Sequence, residues 1–112
     1  MSLKRFFKDN HLSICGRDFD VVYAQKPRDE DNVPAYGLTD HDKQAIIIDK
    51  TLRPEQEMTT IIHESLHGIS EILKVKMSES DICRLENGIH NLLKHNPRLC
   101  KAYIHLGEGK RL

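Results

Sequence analysis

Tryptophan is absent from this 112-residue chain, aromatic residues make up only 5% of it, and net charge is zero, with 17 Lys and Arg against 17 Asp and Glu. That balance offers no electrostatic basis for binding nucleic acid or an anionic membrane. The cysteines, Cys15, Cys83 and Cys100, are odd in number, widely spaced and never arranged as CxxC. They therefore argue against a disulfide framework or a thiolate zinc site and suit reduced thiols in the cytoplasm. No apolar run approaches the roughly 20 residues of a membrane span. Met1 to Lys8 has no apolar stretch of the kind a secretory signal carries. Its Lys4, Arg5 and Lys8 read as a solvated terminus, not a nucleic-acid arm. The expectation is a cytoplasmic chain forming one domain over residues 1–112, with an N-terminal segment at 1–16 and a flexible tail at 107–112.

Histidine, by contrast, is plentiful: seven residues, against three Phe and three Tyr. Where they fall depends on the elements. Asp18 to Ala24 alternates Phe19, Val21 and Tyr23 with more polar neighbours and reads as a strand. Gln25 to Pro34 is a charged loop punctuated by Pro27 and Pro34. Ala35 to Thr39 and Gln44 to Asp49 read as two strands joined through Asp40-His41-Asp42-Lys43. Ile46, Ile47 and Ile48 suit a strand covered on both faces. A helix is predicted from Pro54, with Glu55 and Glu57 in its first turn, to about Lys74. Its buried stripe would be Met58, Ile62, Leu66, Ile69 and Leu73. His63 and His67 would lie on one flank of that stripe, with Glu64 further round. Ser78 and Asp81 form a capping pattern that opens a second helix, with Ile82, Leu85, Ile89 and Leu93 as its apolar face, ending before Asn96-Pro97. The fold expected is α+β: a small three-stranded, mainly antiparallel sheet packed on two helices.

His63-Glu64-Ser65-Leu66-His67 is an H-E-x-x-H motif on the first of these helices. Residues four apart on a helix are neighbours, so two imidazoles can reach one zinc ion. Glu64 would then stand beside the metal as a general base, taking a proton from a water whose pKa zinc lowers towards about 7. A catalytic zinc site needs a third protein ligand, and the second helix offers Glu79, Glu86 and His90. Counting residues from a turn centred near Lys76 puts Glu86 level with His67 and favours it.

Tyr36-Gly37, AIIID at 45–49, TTIIHESLHGI at 59–69, SESDICRL at 78–85 and LLKHNP at 92–97 together resemble the small phage and prophage metallopeptidase-like proteins. These are similar in layout to the ImmA/IrrE-type metallopeptidases and to minimal gluzincins. The resemblance covers about Arg17 to Leu99. It implies a zincin-like fold, a zinc cofactor, a peptide or protein substrate and a third ligand at the acid opening the second helix, Glu79, followed by Ile82. Hairpin counting and resemblance thus point to different acids. The spacing of Glu86 from His67 is also similar to that in larger gluzincins, although Glu86 is not followed by the acid that often orients a gluzincin histidine. The resemblance further implies that an extended substrate pairs with the sheet edge, at Ala35 to Thr39 or Gln44 to Asp49. Tyr103 and His105 are candidate oxyanion donors, with packing of Tyr103 and Ile104 onto the body as the plainer reading. His11, His41 and His95 read as solvent-exposed. The competing function is a zinc-stabilised, non-catalytic binding or regulatory module.

Overall fold

A computed structural model describes residues 3–109. After a 3₁₀ turn at Leu3–Phe6, β1 (His11–Ile14) and β2 (Arg17–Ala24) form a hairpin, with Ile14 opposite Arg17. Its two turn residues, Cys15 and Gly16, have φ of 50° and 81°. A two-residue turn that follows the twist of its strands requires such left-handed conformations. β3 (Gly37–Asp40) pairs antiparallel with β4 (Ala45–Asp49), and β4 inserts parallel to β2, giving the order β1-β2-β4-β3. Three helices follow: α1 (Pro54–Leu73), α2 (Glu79–His95) and α3 (Pro97–Gly107).

The α+β class is as expected, but the sheet has four strands and is mixed, and there are three helices instead of two. The strand missed lies in the N-terminal segment, where His11–Ile14 is short and its turn is Cys-Gly in place of the stronger Asn-Gly signal. The parallel pairing arises because the loop after β2 carries the chain across to the far edge before β4 returns to the centre. Ile46 and Ile48 are then fully buried with Phe19, Val21 and Ile14, while Ile47 is partly exposed. The tail expected to be flexible begins as the last residue of α3, Gly107; residues 110–112 lie outside the described residues.

The inward face of α1 differs from the apolar stripe read from the sequence. Met58 is 39% and Leu73 56% exposed, whereas Glu57, Thr60, Glu64, Leu66 and Gly68 are buried. The helix is rotated so that Thr60 and Glu64 face β3, while Glu57 accepts from the Tyr23 hydroxyl of β2. Gly37 makes this approach possible, since a Cβ there would meet Thr60 Cγ2 at 2.6 Å and Glu64 Cγ at 3.0 Å. On α2, Ile82 is buried, but Leu85 and Leu93 of its expected apolar face are exposed.

Asp49 closes β4, and its buried carboxylate accepts bonds from the Thr51 amide at 2.9 Å and hydroxyl at 2.8 Å. Burial pushes this carboxyl up, but the Thr51 bonds and Lys26 outweigh it and hold it below the usual range. A depressed folded-state value means stability that is present above the unfolded value of about 3.9 and is lost as pH falls through the folded value. Asp49→Ala should therefore cost about 1–3 kcal/mol at neutral pH. In urea titrations the gap from the parent should close as the medium is acidified below that range; a gap independent of pH would refute the assignment.

Candidate metal centre

The motif helix places its three polar residues against two different neighbours. His63 and His67, one turn apart, have ring centroids 5.1 Å from each other with planes inclined at 61°. Glu64 points to the sheet, and both histidines meet α2. Ser78 caps α2 as the sequence suggests: its hydroxyl accepts from the Asp81 amide at 3.1 Å, and Asp81 accepts from the Ser78 amide at 3.0 Å. Glu79 is therefore the first residue of α2. Its Oε1 lies 2.7 Å from His63 Nε2 and its Oε2 3.1 Å from His67 Nε2. The ligand atoms of His63, His67 and Glu79 all fall within 4.8 Å of one another, and such a group can hold a metal ion. A tetrahedral ion with bonds of about 2.0–2.1 Å needs ligand atoms roughly 3.4 Å apart, within reach of small rotations here.

Hairpin counting placed Glu79 too close to the turn because it assumed that both helices begin beside it. In fact Lys74 takes a left-handed conformation, φ 56°, and residues 75–78 are non-helical. The Ser70 hydroxyl donates to the Val75 carbonyl at 2.6 Å, folding this segment back along α1. Four such residues can span about 13 Å, as much as eight or nine residues of helix. Glu79 can thus begin α2 already alongside the motif. Glu86, the third ligand favoured by that count, lies instead on the far side of His63, its Oε1 2.7 Å from Nδ1. His90 is further away, bonded through Nε2 to Glu55 Oε1 at 3.0 Å, and Lys94 joins the same oxygen at 2.6 Å.

Glu64 is 6% exposed. Its Oε1 accepts from the Thr39 hydroxyl at 2.7 Å, leaving Oε2 on the His63 side, 4.0 Å from Nε2. Burial pushes the Glu64 carboxyl above the usual carboxylate range, against the pull of Thr39 and the two imidazoles. Burial acts the other way on His63, but the Glu86 bond and the charges of Glu64, Glu79 and Glu86 outweigh it and raise the imidazole. A cavity of about 310 Å³ opens beside these groups, lined among others by Tyr36, Gly37, Gln56, Thr60 and Glu86.

The sequence gives Thr39 no role beyond ending a predicted edge strand, and Gly37 enters only through the resemblance. The only signal for them was a Gly and a hydroxyl in a short strand near the motif. Thr39→Val, which keeps shape and removes the bond to a buried carboxylate, should destabilise the chain by about 1–3 kcal/mol in urea unfolding. An unchanged midpoint would show that the hydroxyl contributes nothing.

Other expectations are corrected here. β4 lies between β2 and β3, so Gln44 to Asp49 is not an edge; β3 pairs with β4 alone among the described residues. Tyr103 is 73% and Ile104 60% exposed, so they do not pack the tail onto the body. Neither Tyr103 nor His105 lines the cavity, since α3 packs on α2 alone among the elements. His41 and His95 are exposed as expected, and exposed His11 sits 3.2 Å from Asp20. Among the described residues no helix is long and apolar enough to cross a membrane. No family model, curated protein or solved structure matches the chain.

Proposed function

We propose that this chain is a zinc-dependent peptidase on a minimal zincin-like scaffold, acting in the cytoplasm of a bacterial host as a phage or prophage product. The observation that carries the reading is the convergence of His63, His67 and Glu79 beside a buried carboxylate, Glu64, next to a sheet edge. Two imidazoles and a carboxylate form a donor set that suits zinc and leaves a fourth position for water or substrate. Zinc held there would lower the pKa of a coordinated water towards about 7 and polarise a carbonyl.

The chain's own residues supply the rest. Thr39 holds one oxygen of Glu64, and the other, on the His63 side, takes a proton from the attacking water. Water oxygen bonds to the peptide carbonyl carbon, the C–N bond breaks, and Glu64 returns the proton to the leaving amine. β3 would pair with an extended peptide and lay its carbonyl across the site.

A purely structural zinc would call for a fourth protein ligand. Glu86 meets the opposite nitrogen of His63 and His90 is tied to Glu55, so among the described residues the set stops at three. This favours the enzyme over the non-catalytic module. The test is zinc content by equilibrium dialysis, followed by incubation with unstructured peptides. Near-stoichiometric zinc and hydrolysis that a chelator removes and zinc restores are expected. Failure to bind zinc would overturn the reading; binding without hydrolysis would favour the binding module.

A further inference from the structure

Two carboxylates of α2 approach His63 at the same distance, yet on different nitrogens, and this difference separates their roles. Glu79 meets Nε2 and also reaches His67, while Glu86 meets only Nδ1, at 2.7 Å. The Glu79 side chain is 65% exposed and free to adjust to an ion, whereas Glu86 is 20% exposed and held between the helices. We infer that Glu86 is a positioning residue for the metal centre: its carboxylate accepts a hydrogen bond from His63 Nδ1–H and so favours the tautomer that leaves the Nε2 lone pair for an ion shared with Glu79 and His67. The inference rests on the metal-site reading above.

The chemistry follows from the imidazole. A neutral ring has one N–H donor and one lone-pair acceptor, and only the lone pair binds a metal. An anionic acceptor at Nδ1 holds the proton there, orients the ring and makes Nε2 more basic. His67 has no such support at Nδ1: among the described residues its only ion-pair partner is Glu79, through Nε2. The two ligands are therefore unequal, one pre-set by the packing of α2 on α1 and the other set by the ion itself. His67 also serves as an internal control, because a change confined to Glu86 should alter one ring and not the other.

The experiment combines nitrogen-15 spectra of the metal-free chain, in alkaline buffer where both imidazoles are neutral, with zinc competition titrations. In a Glu79→Ala background, which removes the carboxylate from both Nε2 atoms, His63 should show the Nδ1–H tautomer alone, while His67 shows a mixture. Adding Glu86→Ala to that background should make His63 a mixture like His67, and Glu86→Ala alone should lower zinc affinity about 10- to 100-fold. Glu86→Gln, whose side-chain carbonyl still accepts from Nδ1, should recover most of the tautomer and part of the affinity. It also keeps the test decisive if Glu86→Ala does not fold. Parent-like affinity in Glu86→Ala, with a His63 tautomer that Glu86→Ala leaves unchanged in the Glu79→Ala background, would overturn the inference. So would complete zinc loss in Glu86→Ala with retention in Glu79→Ala, because Glu86 would then be the ligand. If the parent itself bound no zinc, the metal reading would fail on that result alone, and a fixed His63 tautomer released by Glu86→Ala would still support the hydrogen-bonding role.

Discussion

Glu64→Gln is expected to bind zinc as the parent does and to hydrolyse peptides about 10²- to 10⁴-fold more slowly, the range spanned by losing one positioned acid–base group. The substitution keeps size and shape inside a buried site, and the Thr39 hydroxyl can still donate to the side-chain oxygen. The three atoms that can hold the ion belong to other residues, so affinity has no reason to change. What is lost is a base. An amide cannot take a proton from water or return one to an amine. Single-turnover hydrolysis and zinc content should be measured on the same preparation. Parent-like turnover would remove Glu64 from the mechanism, and loss of zinc would make it a ligand instead.

The motif could be read from the sequence because its geometry is local. His63 and His67 share a helix flank through a fixed spacing, and Pro54 and Ser78 mark helix starts by local chemistry. What surrounds the motif is set by longer connections. A count of residues about Lys76 could not foresee that residues 75–78 double back, which carries Glu79 up α1 to both motif histidines and Glu86 past His67 to His63. The resemblance named the acid that meets both Nε2 atoms, and periodicity alone did not. Apolar periodicity likewise misjudged the inward face of α1. That face carries Glu57, Thr60 and Glu64, polar groups whose burial depends on partners far along the chain: Tyr23 and the Leu3 amide for Glu57, and Thr39 for Glu64. The sheet order was hidden for the same reason. Ile46 to Ile48 announced a covered strand, but nothing local said that β2 would lie parallel beside it.

Zinc should also raise the stability of the chain, and Glu79→Ala should abolish the increase. Among the described residues α2 buries only Ile82 completely, so its apolar hold on α1 is small. An ion held by His63 and His67 on α1 and Glu79 on α2 would bind the folded pair and not the unfolded chain. At free zinc a thousandfold above the dissociation constant, that linkage amounts to about 4.1 kcal/mol. At roughly 4–8 °C per kcal/mol, the melting temperature should rise by on the order of 15–30 °C. The Glu79 side chain is mostly exposed, so its truncation should leave the chelator-treated melting temperature near that of the parent while the zinc-dependent rise disappears. Paired thermal scans in zinc and in chelator read both quantities. A full zinc-dependent rise in Glu79→Ala would mean that the third ligand is another residue, and no rise in the parent would mean that the histidines do not hold the ion against α2. Amide exchange across residues 79–86 should locate the effect: chelation is expected to loosen the first turns of α2, where the metal joins it to α1, and to leave the exchange of β4 almost unchanged.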